Sequence, residues 1–157
     1  VVGGSDRAMT GAEAEIHKRI KASPYHEDIH IKGMIPFGEE LFELYRSHDM
    51  YVLPSHSEGT PRSVVEARAF GCPAVATRVG GIPTSVTDGE NGLLVPPNDP
   101  AALARAMQRL LDDDELRRRL SQTGIDQGPD YSLESFADQL VEELEQLIHQ
   151  NHLQPAT

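Results

Sequence analysis

Short apolar runs alternate with segments of helical periodicity through most of the chain. Runs of strand type occur at 1–2, 29–35, 50–54, 73–77 and 92–95. Apolar residues recur at helical spacing in the intervals 11–23, 39–47 and 61–70. Short strands separated by helices of about ten residues are typical of βα repeats. The pattern therefore predicts an α/β fold with a parallel sheet and flanking helices.

The chain after residue 98 is predicted to be helical. Asp99 is a favoured N-cap, and Pro100 suits the first helical position because its missing N–H would be unpaired there. A second helix is predicted to end at Gly124, and a last helix covers 132–150 with an apolar stripe along one side. Such a stripe is usually a packing surface. One domain therefore covers 1–150, and the tail 151–157 is predicted to be disordered.

The charge balance restricts the partners. The 157-residue chain carries 14 Lys and Arg against 25 Asp and Glu, which gives a net charge of −11. Broad contact with nucleic acid needs many basic groups to displace counterions from phosphates, so no nucleic acid partner is expected. The excess of acidic residues is interpreted as solvated helical faces.

The single cysteine and the short apolar runs bear on where in the cell the protein is located. Cys72 is the only cysteine, which excludes an intrachain disulfide and a paired-cysteine metal or redox motif. No apolar run reaches the ~18 residues of a membrane span, and the N-terminus lacks the features of a signal peptide. A cytoplasmic location is therefore predicted. Because the chain opens directly on a strand, it is expected to be a fragment.

The candidate chemistry lies in the stretch SEGTPRSVVEARAFGCPAVAT, residues 57–77. Pro61 follows a strand and a polar loop, and proline is favoured in the first turn of a helix. A helix that begins there leaves the N–H groups of Arg62, Ser63 and Val64 free, facing the crevice where open parallel sheets bind ligands. Such a helix start suits phosphate, and Arg62 adds a positive charge.

Two carboxylates flank this helix start. Glu66 lies about 7–8 Å along the helix axis from Pro61, roughly the distance from a pyrophosphate to the ribose of one nucleotide. Glu66 suits a ribose diol because a carboxylate accepts two hydroxyl hydrogen bonds, and Glu58 is placed to meet the group beyond the phosphates. Diol, diphosphate and a further group together describe a nucleotide-sugar. The blander interpretation is an exposed helical Glu66 and a loop Glu58, because two glutamates at this spacing often occur by chance. The apolar residues around Glu66 argue that it is buried, and a buried carboxylate needs partners.

Several motifs occur together in this part of the chain. They are the pair Glu58 and Glu66, the strand GCPAVAT, the turn VGGIP, the run DGENGLLVPPNDP and an alanine-rich helix after it. In this order they resemble the donor-binding half of a retaining glycosyltransferase of the GT-B fold, family 4, the glycosyl transferases group 1 type. The resemblance covers residues 1 to about 147.

The resemblance implies a Rossmann-like C-terminal domain that binds a nucleotide-sugar donor across a cleft from a second domain. It implies that Glu58 contacts the donor sugar and is the catalytic candidate, and that Glu66 binds the ribose hydroxyls. The backbone at 60–63 would hold the diphosphate, and the segment 33–36 would line the base. The implied donor-binding residues are Gly33, Met34, Ile35, Glu58, Gly59, Thr60, Pro61, Arg62, Ser63 and Glu66. The donor would be UDP-, GDP- or ADP-linked, transfer would retain the anomeric configuration, and no metal or other cofactor is expected.

Two positions depart from the family pattern. Thr60 and Pro61 stand where many members carry an aromatic-glycine pair, and Pro61 has no N–H to donate to a phosphate. Thr84 stands where many members carry a glutamate after the GGIP turn. Both departures leave the nucleotide and sugar preference open.

In the family the donor domain has a further strand and helix upstream, which carry basic residues that pair with the diphosphate. The chain is therefore expected to be the N-terminally truncated C-terminal half of a GT-B fold, inactive alone. Its strand at 1–4 would pair directly with the strand at 50–54, or the sheet would be split.

The acceptor, a lipid, a saccharide or a small metabolite, would bind through the missing domain, which would also place the protein peripherally at the inner face of a membrane. Without that domain the helix at 132–150 is expected to drive self-association.

A stand-alone nucleotide-sugar-binding module without catalysis is the main alternative. It would need its own cations for the phosphates, and the candidates are Arg62 and Arg78. The Gly80-Gly81 pair after Arg78 either lets a ligand approach closely or forms a tight turn.

Two enzyme classes fit the sequence less well. A dinucleotide oxidoreductase expects G-x-G-x-x-G after its first strand, and Gly3-Gly4 followed by Gly11 does not match it. A hydrolase that uses His56 beside Ser55 or Ser57 would lack the G-x-S-x-G elbow.

Overall fold

The computed structural model describes residues 11–152. The chain divides into two compact units, Val1–Leu44 and Tyr45–Thr157, and the division falls inside one helix. The predicted strand at 1–2 and most of the predicted tail, 153–157, lie outside the described residues.

The N-terminal unit contains helix α1 (Gly11–Ala22) and the start of helix α2 (Glu39–Ser47), both as predicted. The strand predicted at 29–35 is wrong, because within this segment only Gly33 takes part in a β-bridge. Gly33 has a φ of +70°, which turns the backbone out of the extended conformation. Ile31 and Met34 are exposed, so the alternating pattern buries neither side of the segment.

The C-terminal unit alternates strands and helices. In chain order after α2 its elements are β1 (Tyr51–Leu53), α3 (Arg62–Ala69), β2 (Ala74–Thr77), α4 (Ile82–Ser85), β3 (Leu93–Val95), α5 (Pro100–Asp112), α6 (Asp114–Gln127), a 3₁₀ turn (Gly128–Tyr131) and α7 (Leu133–His152). The strands form a parallel sheet in the order β1-β2-β3. The predicted α/β class with a parallel sheet and flanking helices is confirmed.

Helices cover both faces of this sheet. On one face the buried cluster contains Val64, Ala74, Ala76, Ile82, Val86 and Leu94. On the other face it contains Val75, Leu93, Val95, Leu110, Leu116 and Leu120. Successive strand residues point to opposite faces, so the apolar run of β2 serves both clusters, as a doubly covered parallel sheet requires.

Polar caps set the starts of the last helices. The Asp99 side chain accepts a hydrogen bond from the Ala102 N–H at 2.8 Å, with Pro100 in the first turn, which confirms the predicted start of α5. Ser132 caps α7 in the same way, through the Ser135 N–H at 3.0 Å.

The predicted helix end at Gly124 is wrong, because α6 continues to Gln127. Gly124 is buried inside the helix, and a Cβ at this position would lie 2.6 Å from the Arg68 carbonyl oxygen. Its glycine therefore lets α6 approach α3 closely, instead of ending a helix.

Helix α7 carries apolar side chains that face solvent. Leu140 and Leu144 of the predicted stripe are 46% and 49% exposed, and Val141 beside them is also exposed. The self-association predicted for this helix stays a prediction. Within residues 11–152 no helix combines the length and the apolar character needed to cross a membrane.

The buried Arg68 side chain links α3 to the ends of α4 and α6. The Arg68 guanidinium donates to the Ser85 carbonyl and, at 2.6 Å, to Gln127 Oε1, which also accepts from Asn91 at 2.7 Å. The Tyr131 ring lies 5.9 Å from the Arg68 Cζ. Among the described residues the hydrogen-bond partners of this cation are neutral oxygens, and its Nε has no partner.

Replacing Arg68 tests this network. We expect Arg68→Ala to lower the free energy of unfolding by about 2–4 kcal/mol, because it removes a charged donor from the Ser85 carbonyl and from Gln127 Oε1 and also removes buried packed atoms. Urea unfolding measures the change. The matched control, Arg105→Ala, removes an exposed arginine of α5 and should cost about 0.5 kcal/mol or less. Equal costs for the two variants would contradict a structural role for the buried network.

The buried Cys72 thiol makes stability depend on pH. Cys72 is buried, and its thiol donates to the His48 carbonyl at 3.5 Å. Burial, and to a lesser degree the charge of Asp49, raises the pKa of the Cys72 thiol from 9.0 to about 12. Burial also raises the pKa values of Tyr45 and Tyr51 above their ordinary value of 10.0.

The raised pKa predicts a loss of stability in alkali. Folding favours the neutral thiol, so its contribution is complete below pH 9 and is lost as the pH rises towards about 12. Between pH 9 and 10 we expect the free energy of unfolding to fall more steeply for the native chain than for Cys72→Ala, because the two proteins share the tyrosines and differ only in the thiol. Urea unfolding at each pH measures the two slopes. Parallel slopes would show that the buried thiol does not titrate as described.

Candidate functional site

The candidate site lies at the carboxyl ends of β1 and β2. The chain leaves β1 at Leu53, runs through a loop at 54–61 and enters α3 at Arg62. Most of the sequence-predicted site residues follow one another in this short segment. Glu58, Pro61 and Ser63 are half-buried, whereas Gly59, Thr60 and Arg62 are exposed.

The Glu58 carboxylate is held by a neighbour in the same loop. The Ser55 hydroxyl donates to Glu58 Oε1 at 2.6 Å. The Ser55 carbonyl in turn accepts from Thr77 Oγ1, also at 2.6 Å. Because Thr77 is the last residue of β2, the loop is tied to the neighbouring strand.

The Gly80-Gly81 turn packs directly on the backbone of this loop. A Cβ at Gly80 would lie 1.8 Å from the Glu58 carbonyl oxygen, and one at Gly81 would lie 2.6 Å from the Gly59 carbonyl oxygen. The Gly81 N–H donates to the Gly59 carbonyl at 2.8 Å. Gly80 has a φ of +51°, so the turn is tight as well. The close approach that the sequence left open is therefore an approach of the chain's own backbone.

The start of α3 differs in detail from the prediction. Pro61 is the N-cap, with an extended ψ of 111°, and is not the first helical residue. The Val64 N–H donates to the Pro61 carbonyl at 3.2 Å, so it is not free. For the N–H groups of Arg62 and Ser63, residues 11–152 provide no acceptor. The predicted anion site at this helix start thus rests on two amides.

Glu66 lies one turn further along α3 and is 22% exposed. Arg62 Nε is 4.0 Å from Glu66 Oε1, and the Arg62 side chain is 88% exposed, so this ion pair contributes little. Glu66 also lies near Tyr45, whose pKa is raised by burial and then by the Glu66 charge. Its carboxylate is therefore only partly solvated.

Sequence reasoning missed the polar groups that support the site. Tyr51 donates to Ser63 Oγ at 2.9 Å, and Tyr45 packs edge-on against Tyr51. Ser55 was considered only for the hydrolase alternative, and Thr77 was not assigned a role. The sequence offered one signal, the hydroxyl residue Thr77 at the end of an otherwise apolar strand. In the structure Thr77 is 5% exposed.

The predicted base-lining segment belongs to the N-terminal unit. There Gly33 and Ile35 are half-buried and Met34 is exposed. Their predicted role stays a prediction.

The alternative functions relied on Arg78 for phosphate binding and on His56 with Ser55 for hydrolysis. Arg78 Nη2 lies 3.4 Å from Asp88 Oδ2, a weak exposed contact. His56 is exposed, and the neighbouring Ser55 hydroxyl is committed to Glu58. In the described part of the chain no group of three or more His, Cys, Asp or Glu side chains could hold a metal ion.

Comparisons with known proteins agree with this arrangement. Residues 1–127 match the family model described as Glycosyl transferases group 1. The D-inositol 3-phosphate glycosyltransferase of Corynebacterium efficiens is 44% identical over 102 residues, which is 65% of this chain and 24% of that protein. The chain thus spans about a quarter of the length of this relative.

Solved structures show the same fold. Sucrose-phosphate synthase from Thermosynechococcus elongatus superposes with a TM-score of 0.81 at 33% identity, covering 95% of this chain and 38% of that one. The Anabaena protein HepE, solved in complex with UDP, gives a TM-score of 0.79 at 23% identity, covering 92% of this chain and 40% of that one.

Substitution of Gly80 tests the contact between the turn and the Glu58 loop. Gly80→Ala should lower the free energy of unfolding by about 2 kcal/mol more than Gly89→Ala. Both glycines have positive φ, but only at Gly80 would the new methyl group meet a neighbouring backbone. Urea unfolding measures the difference, and ¹H–¹⁵N spectra should show shifted amide peaks at 55–60 for Gly80→Ala alone. Similar costs would mean that φ strain, and not the contact, explains the glycine.

Proposed function

The chain belongs to the glycosyl transferases group 1 family, and on this premise we propose that it is the nucleotide-sugar-binding part of a glycosyltransferase. The enzyme would transfer a sugar from a nucleoside diphosphate to an acceptor with retention of the anomeric configuration, as members of family 4 do. The observation that carries the proposal is the sequence of groups along one loop and helix: the Glu58 carboxylate, two free amides, and the Glu66 carboxylate.

The helix start supplies the diphosphate site in this proposal. The N–H groups of Arg62 and Ser63 lie at the positive end of the α3 dipole, which favours an anion. The exposed Arg62 guanidinium is held only at 4.0 Å by Glu66, so it is available for a phosphate oxygen. Amides and a cation can neutralise the phosphates, and we propose that no metal is needed.

The two carboxylates would bind the two ends of the donor. Glu66 is partly buried one turn along the same helix, and its two carboxylate oxygens suit the two hydroxyls of a ribose. Glu58 precedes the Arg62 and Ser63 amides in the chain, and its carboxylate would accept a hydrogen bond from a hydroxyl of the transferred sugar. Gly33, Met34 and Ile35 are proposed to line the base.

The acceptor would bind through residues outside this chain. The matched proteins are longer, since the chain covers 24% of the Corynebacterium efficiens glycosyltransferase and 38% of the sucrose-phosphate synthase. We propose that the isolated chain binds the donor but does not transfer the sugar. The acceptor class stays open between a lipid, a saccharide and a small metabolite.

A titration tests donor binding by this chain. ¹H–¹⁵N spectra of the 157-residue chain are recorded with UDP, GDP and ADP, and we expect one nucleotide to shift the amide peaks at 59–63. Glu66→Ala should weaken that binding by about tenfold or more, because two hydrogen bonds to a charged group are lost. The matched control, Glu142→Ala, removes an exposed carboxylate of α7 and should change nothing.

The same samples separate the alternatives. A folded chain that responds to none of the three nucleotides, or equal affinities for the native chain and Glu66→Ala, would contradict the proposed site. Transfer of a radiolabelled sugar by the isolated chain would contradict the need for a second domain. Donor binding without transfer in the full-length protein would favour the binding module without catalysis.

A further inference from the structure

A serine outside the predicted site holds one of its two carboxylates. Ser55 Oγ lies 2.6 Å from Glu58 Oε1, a short contact of the kind that a hydroxyl makes with an ionised carboxylate. Ser55 is half-buried, as is Glu58. The hydroxyl proton of Ser55 is therefore committed to one particular oxygen of Glu58.

The sheet fixes the position of this serine. In the parallel register Leu53 lies opposite Ala76, so Thr77 is one position beyond the end of β1. From there the buried Thr77 hydroxyl donates to the Ser55 carbonyl at 2.6 Å. The position of the Ser55 backbone, from which its hydroxyl projects, is thus tied to strand pairing and does not depend on the loop alone.

Glu58 is consequently held at both ends. Its backbone carbonyl packs against Gly80, where even a Cβ would not fit, and its head group is bound by Ser55. A glutamate has several rotatable bonds, and fixing them before a ligand arrives removes an entropic cost from binding. The Ser55 contact uses Oε1 and leaves Oε2 as an acceptor.

We propose that Ser55 is a positioning residue for sugar recognition: it binds Glu58 Oε1 and so presents Oε2 to a hydroxyl of the donor's sugar. This inference rests on the proposed function, in which Glu58 contacts the sugar. It assigns to Ser55 an effect on the sugar part of the donor and none on the nucleotide part, because the amides of Arg62 and Ser63 and the Glu66 carboxylate do not contact Ser55.

Binding measurements with and without the sugar test the assignment. Calorimetry gives the affinities of the native chain and its variants for UDP-glucose and for UDP, or for the matching glucose conjugate if GDP or ADP is the nucleotide bound. Ser55→Ala should lower the ratio of the two affinities about five- to tenfold, the effect of one lost hydrogen bond. Ser55→Thr keeps a hydroxyl and should restore the ratio. Ser57→Ala, an exposed serine of the same loop, should leave it unchanged.

A double-mutant cycle shows whether Ser55 acts through Glu58. Once Glu58→Ala has removed the carboxylate, adding Ser55→Ala should cause no further fall in the affinity ratio. An undiminished effect of Ser55→Ala in that background would overturn the proposal, as would an equal loss of UDP and UDP-glucose affinity. If Glu58→Ala itself leaves the ratio unchanged, the assignment of Glu58 to the sugar fails, which is a failure of the proposed function.

A measurement without ligand tests the positioning directly. Three-bond proton couplings of the Glu58 side chain should indicate one rotamer in the native chain and in Ser55→Thr, and averaging over rotamers in Ser55→Ala. The ¹H–¹⁵N spectra of the variants report whether each is folded. Rotamer averaging in the folded native chain would overturn the proposal even if neither ligand binds.

Discussion

The parallel pairing of β1 with β2 is the constraint on which the candidate site depends. Parallel strands end at the same edge of a sheet, so the Glu58 loop and the Gly80-Gly81 turn leave the sheet side by side. Their backbones then meet at distances that only glycine allows at positions 80 and 81. Strand register, glycine and the Thr77 hydroxyl together determine where the Glu58 side chain begins.

The position of the second carboxylate, Glu66, depends on how α3 packs against the neighbouring helices. Glu66 belongs to α3, and α3 is held by the close contact at Gly124 and by the buried Arg68 two residues further along the helix. Arg62 at the start of α3 is exposed, whereas Ala67 and Arg68 near its other end are buried. The candidate site therefore combines two open amides with a helix that is packed at its other end.

Local chemistry determined what the sequence could predict. Asp99 and Pro100 specify a helix start by themselves, and the apolar run at 73–77 specifies a strand; both predictions are confirmed. Gly124 was misread because a glycine that ends a helix and one that permits helix contact look alike in a sequence. The strand predicted at 29–35 failed since alternation says nothing of whether a partner strand is available. The Ser55–Glu58–Thr77 arrangement joins strands that are neighbours only after folding, so the motif indicated Glu58 but not its support.

The Arg68 network also shows how far along the chain the packing around α3 extends. Arg68 and Gln127 are 59 positions apart, and Tyr131 lies beyond them against the same guanidinium. The family match ends at residue 127, yet the residues that enclose this cation continue past it. The 3₁₀ turn thus extends the packing around the end of α3 past the residue where the family match stops, although Tyr131 itself is 46% exposed.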